Sequence, residues 1–304
     1  MQRLITFWSV LVALGCRQAE TQTVNWEPVP QGAFSQYWHA GQAELNRFEL
    51  SHARYGELRK GDAVLVFVTE DFRTDKGVKL DDYNGEGKSK AVPILKVNMA
   101  YRFNTGIYPY SILSSVFTPL DLQQFPRSIK TSTSVQEWCG HVYTQMVFKS
   151  DKFHVTSHSY FEREADQEFG LKAALLEDEV WTRIRISPQS LPVGPVDVIP
   201  GLKYARLLHR TPAVEKATAS LKDTGEGMLT YTLNYTSFER SLSIRFKKTF
   251  PHEIEAFEET YKDGFGAKAR ELTTTGRRTH TLKTDYWRRN AVADSTFRDQ
   301  LGLE

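Results

Sequence analysis

Hydrophobic and polar positions alternate with a period of two along most of the chain. Leu95, Val97, Met99, Tyr101 and Phe103 fall on one parity and Lys96, Asn98, Ala100, Arg102 and Asn104 on the other, the pattern of a strand wet on one side. Asn104-Thr105-Gly106 then turns the chain into a second strand over 107–117, with Tyr108, Tyr110 and Ile112 on one face. Val142, Thr144, Met146 and Phe148 alternate next, Ser150-Asp151 reads as a turn, and 153–161 returns. Leu229, Tyr231, Leu233 and Tyr235 lead through Glu239-Arg240 into Leu242, Ile244 and Phe246, a further hairpin. Ile254 and Ala256 share one parity and Phe257 and Tyr261 the other, which calls for a bulge near Phe257. Residues 63–68 are apolar on both faces, as in a central strand.

Helical spacing is rare. Ala173, Leu176, Val180 and Ile184 predict a helix over 171–185 that stops before Pro188, with Glu179 and Arg183 as an i,i+4 pair. On that helix Glu177-Asp178-Glu179 reads as a solvated face. A second helix is expected from about 290 to 302. The fold class is therefore mainly β: an antiparallel meander forming one or two curved open sheets or a half-barrel, with one or two packed helices. The chain divides into 1–15, 16–32, a β-rich region over 33–195 and a second over 196–304 that ends in the terminal helix.

The opening segment carries an address. Arg3 precedes an apolar run over 4–14, and Ala13-Leu14-Gly15-Cys16 follows the pattern of a lipobox. That run would rise only about 16 Å as a helix, roughly half the thickness of a hydrocarbon core. The expectation is a signal peptide over 1–15, cleavage before Cys16, acylation of that cysteine with a fatty chain such as palmitate, and anchorage in membrane lipid. Residues 16–32, with Pro28 and Pro30, read as a lipidated tether. Arg17 in place of Asp favours the outer over the inner membrane, with the body in the periplasm or at the cell surface.

Composition narrows the chemistry. A net charge of +2 without a basic run argues against a nucleic-acid partner. Acylation of Cys16 leaves Cys139 as the one thiol, expected as a small buried residue. Cys139 and His141, two apart, form the candidate polar cluster for a nucleophile pair or a ligand set. His154 and His158 sit too far apart on a strand to share a metal. Asp82, Asn84, Glu86 and Gly87 imitate the start of a calcium loop, but Pro93 stands where its closing Glu belongs. No cofactor, metal site or catalytic residue is assigned. Tyr101, Phe103, Tyr108, Tyr110, Tyr231 and Tyr235 project from sheet faces and are the candidate lining of an apolar ligand site.

The segments 53–59, 63–72, 104–119 and 136–141 resemble a group of bacterial envelope lipoproteins often labelled septum formation inhibitor Maf, over about 37–261. Genuine Maf pyrophosphatases are cytoplasmic and open with a Ser-x-Ser-Pro-Arg-Arg motif that this chain lacks, so the resemblance implies the label and the envelope address but no pyrophosphatase site. The layout is also similar to lipoprotein carriers with an open half-barrel, which implies architecture alone. The expectation is a noncatalytic, anchored protein that binds an apolar molecule or an envelope partner. An envelope hydrolase with dispersed acid and base residues, or an assembly scaffold, is the alternative.

Overall fold

The structure is a computed structural model that describes Val24, Trp26 and residues 28–303; Cys16, the signal segment and most of the tether lie outside the described residues. Two meanders make one sheet of sixteen strands. The first runs β1 (Ala43–Arg54), β2 (Glu57–Arg73), β4 (Ala91–Thr105), β5 (Tyr108–Pro119), β6 (Lys130–Glu137), β7 (Gly140–Lys149), β8 (Lys152–Ser159) and β9 (Gln167–Lys172), with the two-residue β3 (Val78–Lys79) beside β2. The second runs β10 (Leu175–Leu176), β11 (Gly194–Ile199), β12 (Glu215–Gly225), β13 (Met228–Tyr235), β14 (Arg240–Lys247), β15 (Ile254–Asp263) and β16 (Arg270–Thr284). They join where β16 pairs antiparallel with β1. Both β-rich stretches thus belong to the same sheet.

The sheet is open but strongly curled. Lys172, on the last strand of one meander, reaches Asp197 on β11 of the other at 2.8 Å. The two edges therefore face each other without a hydrogen-bonded ladder between β9 and β11. Met146, Phe153, Val155, Leu176, Ile199 and Leu202 pack across this seam, so neither edge offers the long bare strand that invites association. The inward positions of both meanders share one apolar cluster, from Phe48, Leu65 and Val97 round to Leu233, Ile244 and Phe257.

Local chemistry sets the hairpins. Tyr55-Gly56, Ser150-Asp151 and Glu226-Gly227 each place two consecutive residues at positive φ, the two-residue turn whose twist matches the flanking strands. Arg245 faces Ala256 and Phe246 faces Ile254, so Glu255 is the extra residue of a bulge two positions before Phe257. Beyond it Phe257, Glu259, Tyr261 and Asp263 all point inward.

Between the meanders the chain dives into the concave face. Here the expected helix over 171–185 is corrected: 167–172 is β9, 175–176 is β10, Glu177–Glu179 is one turn of 3-10 helix, and only α2 (Val180–Ile186) is α-helical. Ala173 and Leu176 fall at helical spacing although the chain changes sides at Ala173-Ala174, pairing first with β8 and then with β11. Val180, Trp181 and Ile184 of α2 plug the concave face, and α3 (Leu202–Leu207) closes over it near β5 and β6. On the N-terminal side α1 (Ala33–Trp38) inserts Trp38 beside Phe67. At the C-terminus a 3-10 turn, Val292–Ser295, precedes α4 (Thr296–Gln300), close to the helix expected there. No helix among the described residues is long and apolar enough to cross a membrane.

Candidate functional site

The inward aromatics seat buried cations. Lys203 lies over the Tyr101 ring at 5.1 Å, Arg240 over Tyr204 at 4.0 Å and Tyr235 at 4.8 Å, and Arg54 over Tyr55 at 4.0 Å and Tyr110 at 5.1 Å. Phe103 stacks between His52 and Tyr110, and the Tyr231 hydroxyl donates to the Pro192 carbonyl at 2.9 Å. Of the six aromatics expected to line a ligand site, five are buried against this filling and only Tyr108 stays half-buried, at the margin.

The acidic triplet is the centre of that filling, which corrects the solvated face expected for it: Glu177, Asp178 and Glu179 are all buried. With three residues per turn, a 3-10 turn splays its side chains in three directions, and each finds its own partner. Arg240 donates to both Glu177 oxygens at 2.5 and 2.6 Å and to Glu259 at 2.8 Å, while Lys203 donates to Glu259 at 2.7 Å. The Tyr235 hydroxyl also donates to Glu177. Glu179 accepts from the Ser128 amide at 2.6 Å and faces Arg183 at 3.3 Å, the i,i+4 pair expected from sequence. Asp178 accepts from the Thr131 hydroxyl at 3.2 Å and the Leu202 amide at 3.3 Å. Burial, reinforced by the charge of Glu177, pushes the Asp178 carboxyl up to about 7. Against the same burial, Lys203 and Arg240 hold Glu259 down at about 2. Below about pH 7 Asp178 keeps its proton, leaving Glu177 and Glu259 opposite Arg240 and Lys203.

This cluster borders a chamber of about 20 Å³ beside Tyr101, Ser114 and Gly201. A cavity of that size holds about one water. No sugar ring or peptide fits between Glu177 and Asp178, so the arrangement acts as a pin for the plug. A second pin lies further along α2: Arg185 donates to both Glu44 oxygens at 2.6 and 2.7 Å and to the Pro251 carbonyl at 2.8 Å. Asn46 adds a 2.7 Å bond to Glu44, and Tyr37 a further one.

The turns at one end of the sheet carry a different feature. Ile107 (82% exposed), Trp138 (69%), Tyr160 (74%) and Phe265 (62%) project from four separate connections, β4–β5, β6–β7, β8–β9 and β15–β16. Three of them are anchored by contacts beneath the surface. Tyr108 meets Trp138 at 6.3 Å, Tyr55 meets Phe265 at 6.2 Å, and the Tyr160 ring sits against Gly140, where an added Cβ would approach it to 2.8 Å. Together they form an aromatic rim.

Cys139 belongs to this rim. It is exposed at the tip of the β6–β7 turn, which corrects its expected burial, because a two-residue tip leaves no inward position. The hydrogen bond and charge of Glu137 raise its thiol, the reverse of nucleophile activation. His141 is an exposed residue at the start of β7, beside no metal-ligating trio among the described residues. His158 pairs with Asp166 at 3.2 Å, and Asp82 closes its own turn by accepting the Asn84 amide at 2.9 Å.

Below the rim, at the seam, lies a pocket of about 40 Å³ between β7, β8 and α3, bordered by Thr144, Ser157, Gln167, Arg206, His209 and Arg210. Glu164 reaches His209 Nδ1 at 2.5 Å, Arg206 at 3.4 Å and the Ser159 hydroxyl at 2.7 Å. Phe161 covers the Arg206 guanidinium at 4.4 Å. Arg54 donates to the Leu207 carbonyl at 2.5 Å, to Tyr110 at 2.9 Å and to Tyr55 at 3.1 Å. Sequence reasoning missed this group: Arg54, Glu164 and the Arg206–His209 pair come from three separated segments, and no spacing joins the three. No protein-family model, curated protein or solved structure matches the chain.

Proposed function

We propose that the protein is a noncatalytic envelope lipoprotein, anchored through an acylated Cys16 in the manner of the lipoproteins labelled septum formation inhibitor Maf, that recognises an envelope partner protein with its aromatic rim. The observation that carries this reading is the placement of the rim at the end of the sheet opposite the N-terminal segment. Trp26 packs on His252 and Phe34 on Phe250, beside the β14–β15 turn, whereas Ile107, Trp138, Tyr160 and Phe265 occupy the other set of turns. From Cys16 to Val24 the chain spans at most about 28 Å. An anchor there holds the N-terminal end toward lipid and turns the rim outward. Exposed Trp, Tyr and Phe in a connected group are the residue types that dominate binding at protein interfaces. The inward aromatics favour this reading over an apolar-ligand carrier, because α2 and α3 already cover them.

The test is site-specific photocrosslinking in cells that make the full chain, with the crosslinker in place of Trp138 or Tyr160 and, as a control, in place of Thr232 on the outer face of β13. One discrete adduct from both rim positions and none from the control is expected. Absence of any adduct at the rim, or the same adducts from all three positions, would overturn the reading.

A further inference from the structure

Buried guanidinium groups in this fold come in two kinds. Arg185 and Arg240 each grip a carboxylate with two nitrogens. Arg54, equally buried, touches two phenol hydroxyls and a carbonyl, and no carboxylate lies within ion-pair distance of it among the described residues. The Arg206 side chain is 9% exposed and meets one carboxylate, that of Glu164, at 3.4 Å, while the same oxygen sits closer to His209. The Nε of both arginines is buried without a partner. Burial lowers the Arg206 guanidinium's hold on its proton, Glu164 offsets this in part, and the charge of Arg54 adds to the lowering. Arg210, exposed at the same pocket, donates to the Tyr204 hydroxyl at 3.0 Å and lies over the Phe238 ring at 4.3 Å. Two guanidinium groups, the buried Arg206 and the exposed Arg210, thus border one small pocket with one carboxylate, that of Glu164. A buried cation without a full counter-charge is costly, and the cost falls when an anion supplies it.

We propose that the pocket between β7, β8 and α3 is a binding site for a single oxyanion, a carboxylate or a phosphate monoester, held by Arg206 and Arg210 with the hydroxyls of Thr144 and Ser157. The pocket's 40 Å³ accommodates a headgroup and no more. Glu164 is the built-in competitor: it occupies the anion's place in the empty pocket and swings aside when the ligand arrives. This inference goes beyond the rim's recognition of a partner and holds whether or not that recognition occurs, because it rests on the charge count alone.

The experiment measures binding of inorganic phosphate, acetate and hexyl phosphate to the full-length processed protein in neutral detergent, by calorimetry and by thermal shift, with chloride at matched ionic strength as the reference. Saturable binding of phosphate or acetate is expected, with stabilisation that grows with ligand concentration. Arg206→Gln should weaken it by about tenfold or more, and Glu164→Gln should tighten it by about threefold or more, by removing the competing charge. The second variant keeps the proposal testable should the first fold poorly. Tighter binding of hexyl phosphate than of phosphate identifies the headgroup of an amphiphile, and equal binding a free anion; both support the site. Shifts no larger than those of chloride, undiminished binding in folded Arg206→Gln, or weaker binding in Glu164→Gln would each overturn it.

Discussion

Replacing Asp178 by Asn should stabilise the protein at and above neutral pH, and the size of the effect follows from the charge count around the 3-10 turn. Burial and Glu177 raise the Asp178 carboxyl from 3.8 to about 7, so between those two values the folded chain holds a proton that the unfolded chain has released. Stability from this group is therefore fully present below pH 3.8, falls as pH rises through that window, and levels off above 7. Three units correspond to about 4 kcal/mol at most. Asn cannot ionise. Its carbonyl can accept from Thr131 and Leu202 as Asp178 does, and its amide can donate on the side of Gly201 where Glu177 lies. Urea unfolding of wild type and Asp178→Asn, followed by circular dichroism between about pH 5 and pH 8, separates this term from all others that titrate. Wild type should lose roughly 2 to 3 kcal/mol more than the variant across that range. Parallel pH slopes, or a variant less stable than wild type at pH 8, would refute the account of the inner cluster.

The other pins make separate predictions. Glu44→Gln strands the Arg185 charge inside the sheet and should cost about 3 to 5 kcal/mol in denaturant unfolding, with most of it recovered in Glu44→Gln/Arg185→Met. Arg185 holds Glu44 at about 2 against the burial that would raise it, so wild-type stability from this pair should be lost as pH falls below 4.5 toward 2, and the double variant should lack that loss. Gly276→Ala puts a Cβ 2.1 Å from the Phe257 ring, which must then leave its contacts with Phe48 and Trp181; a drop of at least 2 kcal/mol, approximately, is expected in the same assay. Glu137→Gln should speed alkylation of Cys139 by iodoacetamide near neutral pH, because the group that holds its thiol up is gone.

Strand existence was legible in the sequence because it depends on local alternation. Leu95 to Phe103 on one parity, the Ser150-Asp151 turn and the bulge before Phe257 all follow from side-chain period and turn chemistry. The hairpins extend in both directions to a single open, curled sheet, in keeping with the meander expected. What the pattern could not carry is the exchange of pairing partners at Ala173-Ala174, where two short edge segments mimic helical spacing. The burial of Glu177-Asp178-Glu179 was hidden for a related reason: Arg240, Glu259 and Ser128, which balance them, come from distant strands and loops. Cys139 was misjudged because burial was read from residue type, whereas a hairpin tip overrides it. Arg54 and Arg206 left no local trace, since Tyr110 and Glu164, which they meet, come from distant segments.

We propose that the chain is held to lipid by its processed N-terminus while its own helices fill the curved sheet. Mass spectrometry of the intact protein, extracted gently from membranes in its native state, tests both parts in one spectrum. The expected product is a polypeptide beginning at Cys16 with added acyl mass and no stoichiometric apolar molecule retained. A product that begins at Met1, or one that carries a bound lipid at one per chain after the detergent is exchanged, would contradict it.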